Sequence, residues 1–421
     1  MKQLHNHNII YTFAYMAIGS FTPLIGPYLK TLGFSGSQIG VITAAGTTMA
    51  IFAVAFWGGI YNRAGQSGTD SVNQQNRRNE ALLIAGLCIG AVCFAACLKA
   101  AAAFAFVLLF FVLVYFMQPP SISLIDAFAV EGEGERGDRD FGSKRAWGAV
   151  GFALGVFAGG RIAGTFSEGS IFYIYGVCFL ITAAVLVLAA VRSSQTDTAT
   201  ARDANAKFPA ADTNPTSVNT DPTTAEPSRR AGTYRELLHD KRVCQLLVCM
   251  FFMGGTNVAN NTYFSFLYIE GGGTLAGVGI IMLLMVGSEV PFMMWCDRLA
   301  RRFTLQKTIL FAMILSSVRF IVYGFGLPWW LLAVLFFTQG AVNGIILVEF
   351  VRYISRIAPA GCKSLAVSAY YVIGSNISTI VCQFFGGLLL DSFGAAGVYM
   401  FFGLFNLAGT ILYVLFGLHR E

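Results

Sequence analysis

The chain has 421 residues, of which 56% are hydrophobic and only 12% are charged, and its formal net charge is +6. Soluble domains carry about 25% charged residues, so this composition excludes an ordinary soluble domain and indicates a polytopic membrane protein. The excess of Lys and Arg does not require nucleic acid as a partner, because membrane proteins concentrate basic residues in their cytoplasmic loops.

Twelve apolar stretches predict an all-α polytopic fold, since a bilayer core needs about 20 apolar residues per helix. The predicted spans are 8–29, 38–61, 81–98, 104–126, 145–165, 171–191, 243–268, 275–296, 306–326, 329–351, 363–389 and 394–417. Lys30 follows the first span, and no small-residue cleavage site does, so we expect this span to be retained rather than removed as a signal peptide.

The distribution of the 28 Lys and Arg residues predicts the orientation. If the N-terminus is cytoplasmic, only Lys30, Lys99 and Arg161 fall near the outer side, Arg319 falls within the bilayer, and all the others lie inside. The positive-inside rule therefore places both termini in the cytoplasm. We expect the protein in the plasma (inner) membrane.

A central segment divides the predicted spans into six and six. Residues 193–233 are rich in Thr, Ala, Asp, Asn and Pro and poor in aromatic residues, so they bury too little surface to fold alone. We predict an N-terminal six-helix bundle at 1–192, a flexible cytoplasmic linker at 193–233 and a C-terminal six-helix bundle at 234–421. The stretch 233–242 is either a helix along the inner membrane face or an extension of the seventh span.

The sequence holds no pattern that points to catalysis or to a metal. Most of the nine cysteines lie scattered in apolar spans without metal-ligand spacing, and the four histidines lie at the termini or in loops. Neither G-x-S-x-G nor H-E-x-x-H occurs. We therefore expect neither an enzyme nor a metal or cofactor.

A short motif recurs in the two predicted halves. The chain reads WGGIYNRAGQ after the second span and WCDRLARR after the eighth, so Asn62-Arg63-x-Gly65 corresponds to Asp297-Arg298. Here the sequence resembles the major facilitator superfamily, whose inner loops between helices 2 and 3 and between helices 8 and 9 carry such a motif. The resemblance implies that these five residues belong to gating loops. The alternative is two merely positive inner loops.

The charged residues within the predicted spans include Asp126, Arg145, Glu289 and Arg319. A charge at the bilayer centre costs about 2.5–3.5 kcal/mol on insertion scales, so these groups should pair or line a water-filled cavity. Glu289 near Arg319 could bind a proton in one conformation and release it in another. The alternatives are a static ion pair, and for Asp126 with Arg145 also snorkelling to the interface.

Three stretches resemble the lactose permease type of oligosaccharide and proton symporter and the related phenylpropionate permease group. The first is R-A-W-G-x-x-G-F, beginning at Arg145; the second is Ser-Val-Arg319; the third is S-E-V-P-F, around Glu289. The resemblance implies that the proton-coupling residues are Glu289, Arg319 and Gln339, and that Asp126, Arg145, Trp147 and Phe152 lie at the substrate site. Lactose itself is not expected, because Gln339 replaces a histidine and Phe152 a stacking tryptophan.

Neutral polar side chains inside the spans predict further substrate contacts. They are Asn257 and Asn261 in the seventh span and Tyr115 and Gln118 in the fourth, each pair sharing a helix face. Lipid exposure would be costly for them, so they should point inward. Such groups suit sugars, nucleosides and aromatic acids equally, and each of them could instead hold helices together.

Glycine and proline predict helix contacts and interruptions. Gly148, Gly151 and Gly155 have the spacing of a close helix contact in the fifth span. The pairs Pro23/Pro27 and Pro119/Pro120 predict interruptions of the first and fourth spans.

We predict proton-coupled symport, in the direction of uptake, of a small organic solute by alternating access, in a monomer with the proton as coupling ion. Uniport is a variant of this hypothesis. The alternatives are a proton-coupled antiporter that exports hydrophobic compounds, and a membrane enzyme or sensor, for which the motifs are missing.

Overall fold

The computed structural model describes residues 2–64, 70–131, 135–207, 234–359 and 362–420. These residues are almost entirely helical. The helices are α1 (Lys2–Phe21), α2 (Ile25–Thr31), α3 (Gly36–Ala64), α4 (Asp70–Ala100), α5 (Phe104–Glu131), α6 (Glu135–Thr165), α7 (Ile171–Lys207), α8 (Tyr234–His239), α9 (Lys241–Glu270), α10 (Leu275–Phe303), α11 (Leu305–Tyr323), α12 (Trp329–Ile357), α13 (Lys363–Ala369) and α14 (Ser378–Leu415). A π-helical segment, Tyr370–Ile377, joins α13 to α14.

The twelve predicted spans all coincide with helices, which confirms an all-α multi-pass membrane protein. Within the described residues, ten helices are long and apolar enough to cross a membrane, and Leu275–Glu289 of α10 is a shorter apolar stretch. One of the ten, Leu365–Leu415, holds two crossings, because its backbone turns at Gly394, where φ is 68°. Only glycine adopts that conformation without strain.

Proline acts differently in the first and fourth spans. The first span is interrupted as predicted, since α1 ends at Phe21 and α2 begins at Ile25, with Pro23 between them. The predicted interruption at Pro119/Pro120 is wrong, because α5 continues through both residues. A membrane helix tolerates proline where neighbouring helices and small local adjustments satisfy the freed carbonyl groups.

The predicted linker differs from the structure at its beginning. Helix α7 continues to Lys207, beyond residue 193, and residues 208–233 lie outside the described part of the chain. A helix that leaves the membrane propagates easily through an Ala-containing sequence such as TATARDANAK. After the linker, α8 is a separate short helix, and the Asp240 carboxylate caps α9 by accepting hydrogen bonds from the amides of Arg242 and Val243.

Equivalent helices pack in the same way in the two parts of the chain. Helix α3 contacts α5 as α10 contacts α12, and α4 contacts α7 as α11 contacts α14. Such correspondence is expected of a transporter built from repeated bundles. The domain limits 1–192, 193–233 and 234–421 stay a prediction.

A row of glycines brings α6 against α1. A Cβ atom at Gly148 would lie 2.9 Å from the Tyr15 ring, and one at Gly151 or Gly155 would collide with the carbonyl oxygen of Thr12 or Met16. The absence of side chains therefore lets the two backbones touch. The close contact predicted from the glycine spacing is confirmed.

We expect Gly151→Ala to lower the unfolding temperature of the purified protein by several degrees, because the new methyl group forces α1 and α6 apart. The control is Gly86→Ala on α4, where a Cβ atom would meet no atom within 4 Å. In an open helical position Ala is favoured over Gly by about 0.5–1 kcal/mol, so this variant should be as stable as the wild type or slightly more so. Equal unfolding temperatures for the two variants would contradict the packing argument.

The two parts of the bundle meet at the end opposite the chain termini, which we call the distal end (the turns 32–35, 166–168, 271–274, 324–328 and 391–394). There the Asp391 carboxylate accepts hydrogen bonds from the amides of Gly36 and Ser37 at 2.5 and 2.7 Å, so it caps α3 from the end of a crossing in the other half.

Glycines also bring helices of the two halves together at the distal end. A Cβ atom at Gly40 would lie 2.6 Å from the carbonyl oxygen of Gln383. Helices α6 and α10 approach equally closely, and a Cβ atom at Gly160 would lie 2.9 Å from the Leu275 carbonyl oxygen. The structure is closed at this end.

Candidate functional site

A network of three amide side chains joins α9 to α12. The Gln339 amide nitrogen donates to the Asn257 carbonyl oxygen at 3.3 Å and to the Asn343 carbonyl oxygen at 2.9 Å. Asn257 in turn donates to the main-chain carbonyl of Met253 at 3.0 Å. Gln339 is fully buried, and its own carbonyl oxygen has no hydrogen-bond partner among the described residues. The Gln339 carbonyl oxygen can therefore accept a hydrogen bond from a further donor.

Glu289 lies on α10 beside the helix that carries this network. Position 340 of α12 must be glycine here, since its Cβ atom would lie 2.8 Å from the Glu289 amide nitrogen. The neighbouring Ser288 hydroxyl donates to the Met285 and Phe337 carbonyls, which fixes α10 against α12. The Glu289 side chain is half-buried and forms neither an ion pair nor a hydrogen bond with the described part of the chain.

Arg319 is not joined to Glu289. It lies on α11 with 3% exposure, and its guanidinium carbon is 4.5 Å from the centroid of the Phe320 ring and 5.9 Å from that of Tyr323. Its three guanidinium nitrogens have no hydrogen-bond partner among the described residues. The sequence correctly indicated a buried guanidinium, but this conformation does not bring the predicted coupling pair together.

Asp126 on α5 faces the first helix. The Tyr11 hydroxyl donates to the Asp126 carboxylate at 2.8 Å, and the Tyr11 ring stacks on Tyr15 with centroids 6.1 Å apart. The side chain of Arg145, the predicted partner of Asp126, lies outside the described residues. This contact joins α1 to α5 beside the row of glycines on α6.

The other predicted substrate residues divide into exposed and engaged side chains. Trp147 is 45% exposed, whereas Phe152 and Asn261 are half-buried. Tyr115 stacks on Phe111 with centroids 4.7 Å apart. Gln118 is buried and accepts a hydrogen bond from the Tyr175 hydroxyl at 3.0 Å, so at least one of its groups holds α5 to α7.

The predicted gating residues lie at the end of the bundle that carries the termini. Asn62 and Arg63 are exposed in the last turns of α3, and Gly65 lies outside the described residues. Asp297 and Arg298 belong to the last turns of α10, and their side chains also lie outside the described part of the structure. Their gating role stays a prediction.

Sequence reasoning missed a polar cluster near the distal end. Gln383 on α14 accepts a hydrogen bond from Thr43 on α3 at 3.0 Å and donates to Thr262 on α9 at 3.0 Å. It therefore joins both parts of the bundle. Gln383, like Asn257, is a polar side chain inside an apolar span, so the same signal could have identified it. The capping role of Asp391, in contrast, is visible only in the tertiary contact.

A family model described as "MFS_1 like family" matches residues 4–401 of this chain. The chain belongs to the MFS_1 like family. It is thus a member of the major facilitator superfamily, as its repeated motif predicted. Two curated relatives are similar over most of their length. The maltose permease of Geobacillus stearothermophilus is 28% identical over 97% of this chain and 93% of that protein, and the uncharacterized transporter YwbF of Bacillus subtilis (strain 168) is 27% identical over 95% and 90%.

Solved structures share the fold of this MFS_1 like protein. The crystal structure of the nucleoside transporter NupG has a TM-score of 0.71 at 14% identity and covers 99% of both chains. The crystal structure of the POT family transporter PepTSo has a TM-score of 0.69 at 10% identity and covers 99% of this chain and 97% of that chain. At these identities the likeness concerns the fold alone. With the curated relatives, the comparisons support a multi-pass transporter of small solutes and not an enzyme.

Proposed function

We propose that this protein takes up an uncharged oligosaccharide of the maltose type together with a proton. The amide network of Asn257, Gln339 and Asn343 carries the proposal, because amide groups exchange hydrogen bonds with sugar hydroxyls without adding a charge. A relative named for maltose transport, similar over nearly the whole chain, favours a sugar over a nucleoside or an aromatic acid.

Proton coupling needs a group that can change its charge near the sugar. Glu289 is a half-buried carboxylate without an ion-pair partner among the described residues, on a helix packed against the amide network. If Glu289 binds a proton on one side of the membrane and releases it on the other, the proton flux and the sugar flux are coupled. Inward movement of a proton charge supplies about 2.3 kcal/mol per 100 mV, which corresponds to more than tenfold accumulation of a neutral solute.

Alternating access gives the remaining predicted residues their roles. In this proposal the halves 1–192 and 234–421 move against each other around a site at mid-membrane, and the linker 193–233 tethers them. In a conformation that brings them together, Arg319 and Gln339 adjust the charge of Glu289, and Asp126, Arg145, Trp147 and Phe152 contact the solute from the other half. The distal end faces outward, both termini are cytoplasmic in the plasma membrane, and a monomer suffices because both halves supply one cavity.

The test is the external pH of proteoliposomes that contain the purified protein. We expect alkalinisation of the medium when maltose is added, but not when uridine or phenylpropionate is added, and loss of the signal with a protonophore. Gln339→Leu should abolish the signal, because the amide network loses its bridge. The control is Thr338→Val: among the described residues, the native Thr338 hydroxyl donates only to the Leu335 carbonyl, at 2.6 Å. Proton uptake into the vesicles linked to efflux of a hydrophobic dye would instead support the exporter.

A further inference from the structure

Arg319 is a permanently charged side chain that is buried without a polar partner among the described residues. All three guanidinium nitrogens lack a hydrogen-bond partner among the described residues, and the side chain forms no ion pair within them. A guanidinium stays charged at neutral pH, and an unpaired ion in a protein interior carries a large desolvation cost. The position therefore requires a negative charge that the described protein groups do not provide.

Two neighbouring hydroxyl groups on the same helix also lack partners within the described part of the chain. Ser316 and Tyr323 lie three residues before and four residues after Arg319, so all three side chains share one face of α11. Both are fully buried, and neither hydroxyl oxygen has a hydrogen-bond partner among the described residues. Buried hydroxyl groups are almost always hydrogen-bonded. We therefore infer that these two hydroxyl groups donate to the same ligand as the guanidinium.

Helices α9 and α14 enclose this face of α11. The Tyr323 ring lies 5.4 Å from the Tyr399 ring, and the Tyr399 hydroxyl donates to the Asn260 carbonyl oxygen at 2.7 Å. The amide nitrogen of Asn260 has no partner in the described part of the structure and is fully buried. The cluster thus offers a guanidinium, two hydroxyls and one amide group, all of which can donate hydrogen bonds.

We propose that Ser316, Arg319, Tyr323 and Asn260 bind one small inorganic monovalent anion such as chloride. The group of donors matches an anion, and one positive charge is balanced by one negative charge. The Phe320 and Tyr399 rings lie against the site, and the donor side chains are almost completely buried, which favours a small ion over an organic carboxylate. A neutral sugar would leave the charge uncompensated. The proposal does not depend on the substrate or on proton coupling.

Chloride binding to the purified protein in detergent tests this proposal. After exchange into gluconate buffer, equilibrium dialysis with radioactive chloride should show saturable binding of one ion per chain, with bromide competing and gluconate not. The unfolding temperature should rise with chloride concentration over the same range, because a ligand that binds only the folded state stabilises it. No saturable binding would overturn the proposal, and would leave another conformation to supply the charge, for example through Glu289.

Variants on α11 show whether the bound ion lies at this position. Arg319→Gln should abolish binding. Ser316→Ala and Tyr323→Phe should each weaken chloride binding about tenfold or more, the usual effect of losing one hydrogen bond to a charged group. These two variants test the site even if Arg319→Gln does not fold. The control is Ser317→Ala, since the Ser317 hydroxyl contacts Met313 and Thr410 instead. Unchanged chloride affinity in folded Ser316→Ala and Tyr323→Phe, or equal weakening in Ser317→Ala, would refute the assignment.

Discussion

Replacing Glu289 with Gln is expected to abolish accumulation of the sugar against its gradient while leaving exchange of sugar across the membrane intact. Gln has nearly the same size and can hydrogen-bond, but it carries no titratable proton. The half-buried Glu289 side chain has no ion-pair partner among the described residues, so removing its charge leaves no unpaired cation among them. Without a carboxylate the sugar flux is no longer tied to the proton gradient, and the driving force of about 2.3 kcal/mol per 100 mV is lost.

The measurement is uptake of radiolabelled maltose into proteoliposomes under an imposed pH gradient and membrane potential. Accumulation should fall at least tenfold, to the equilibrium level, whereas counterflow at equal pH should stay within about twofold of the wild type. The control is Glu270→Gln: the Glu270 carboxylate caps the helix after Gly394 through the Ala395 amide at the distal end, and its variant should keep accumulating sugar. A Glu289→Gln variant that accumulates sugar normally would transfer the coupling role to another residue or favour uniport.

Replacing Gly40 with Leu is expected to trap the transporter open at the distal end and to stop turnover. The backbone of α3 touches α14 at this point, and even a single Cβ atom would lie 2.6 Å from the Gln383 carbonyl oxygen and 2.9 Å from the Gly387 Cα atom. A leucine side chain cannot be accommodated unless the two halves separate. The closed conformation, in which Asp391 also caps α3, should then become inaccessible.

Distances between spin labels at Phe166 and Ile269, near the distal ends of α6 and α9, report the state in a background without native cysteines. We expect the short distance of the closed state to disappear in Gly40→Leu, and net maltose uptake to fall at least a hundredfold, which corresponds to a shift of about 2.8 kcal/mol in the conformational equilibrium. Gly59→Leu is the control on the same helix, because a Cβ atom there meets no atom within 4 Å. An unchanged distance distribution in Gly40→Leu would show that this contact does not limit closure.

The spans, the fold class and the glycine contact could be predicted from the sequence because each follows from a local property. An apolar stretch of bilayer length must be helical, since lipid offers no partner for backbone groups. Gly148, Gly151 and Gly155 lie on one face of a helix whatever that face contacts, so their spacing alone indicated a close approach. The buried guanidinium of Arg319 was equally visible as a charge inside an apolar span.

Partners between distant helices could not be predicted, because they depend on how the helices rotate and on the conformational state. The sequence suggested Glu289 as the partner of Arg319, yet the structure leaves Arg319 among Ser316, Tyr323 and the rings of α14. It likewise indicated Gln339 as a coupling residue without showing that this side chain joins Asn257 to Asn343.

The sequence by itself determined that this chain is a twelve-span transporter of the major facilitator type, because hydropathy, charge bias and a repeated motif are properties of the chain in any conformation. Only the tertiary structure decided that the distal end is closed by Asp391 and Gly40, and that the cationic side chain of α11 has no anionic partner among the described residues. Both depend on contacts between residues far apart in the chain, whose distances are set by helix packing and not by sequence spacing.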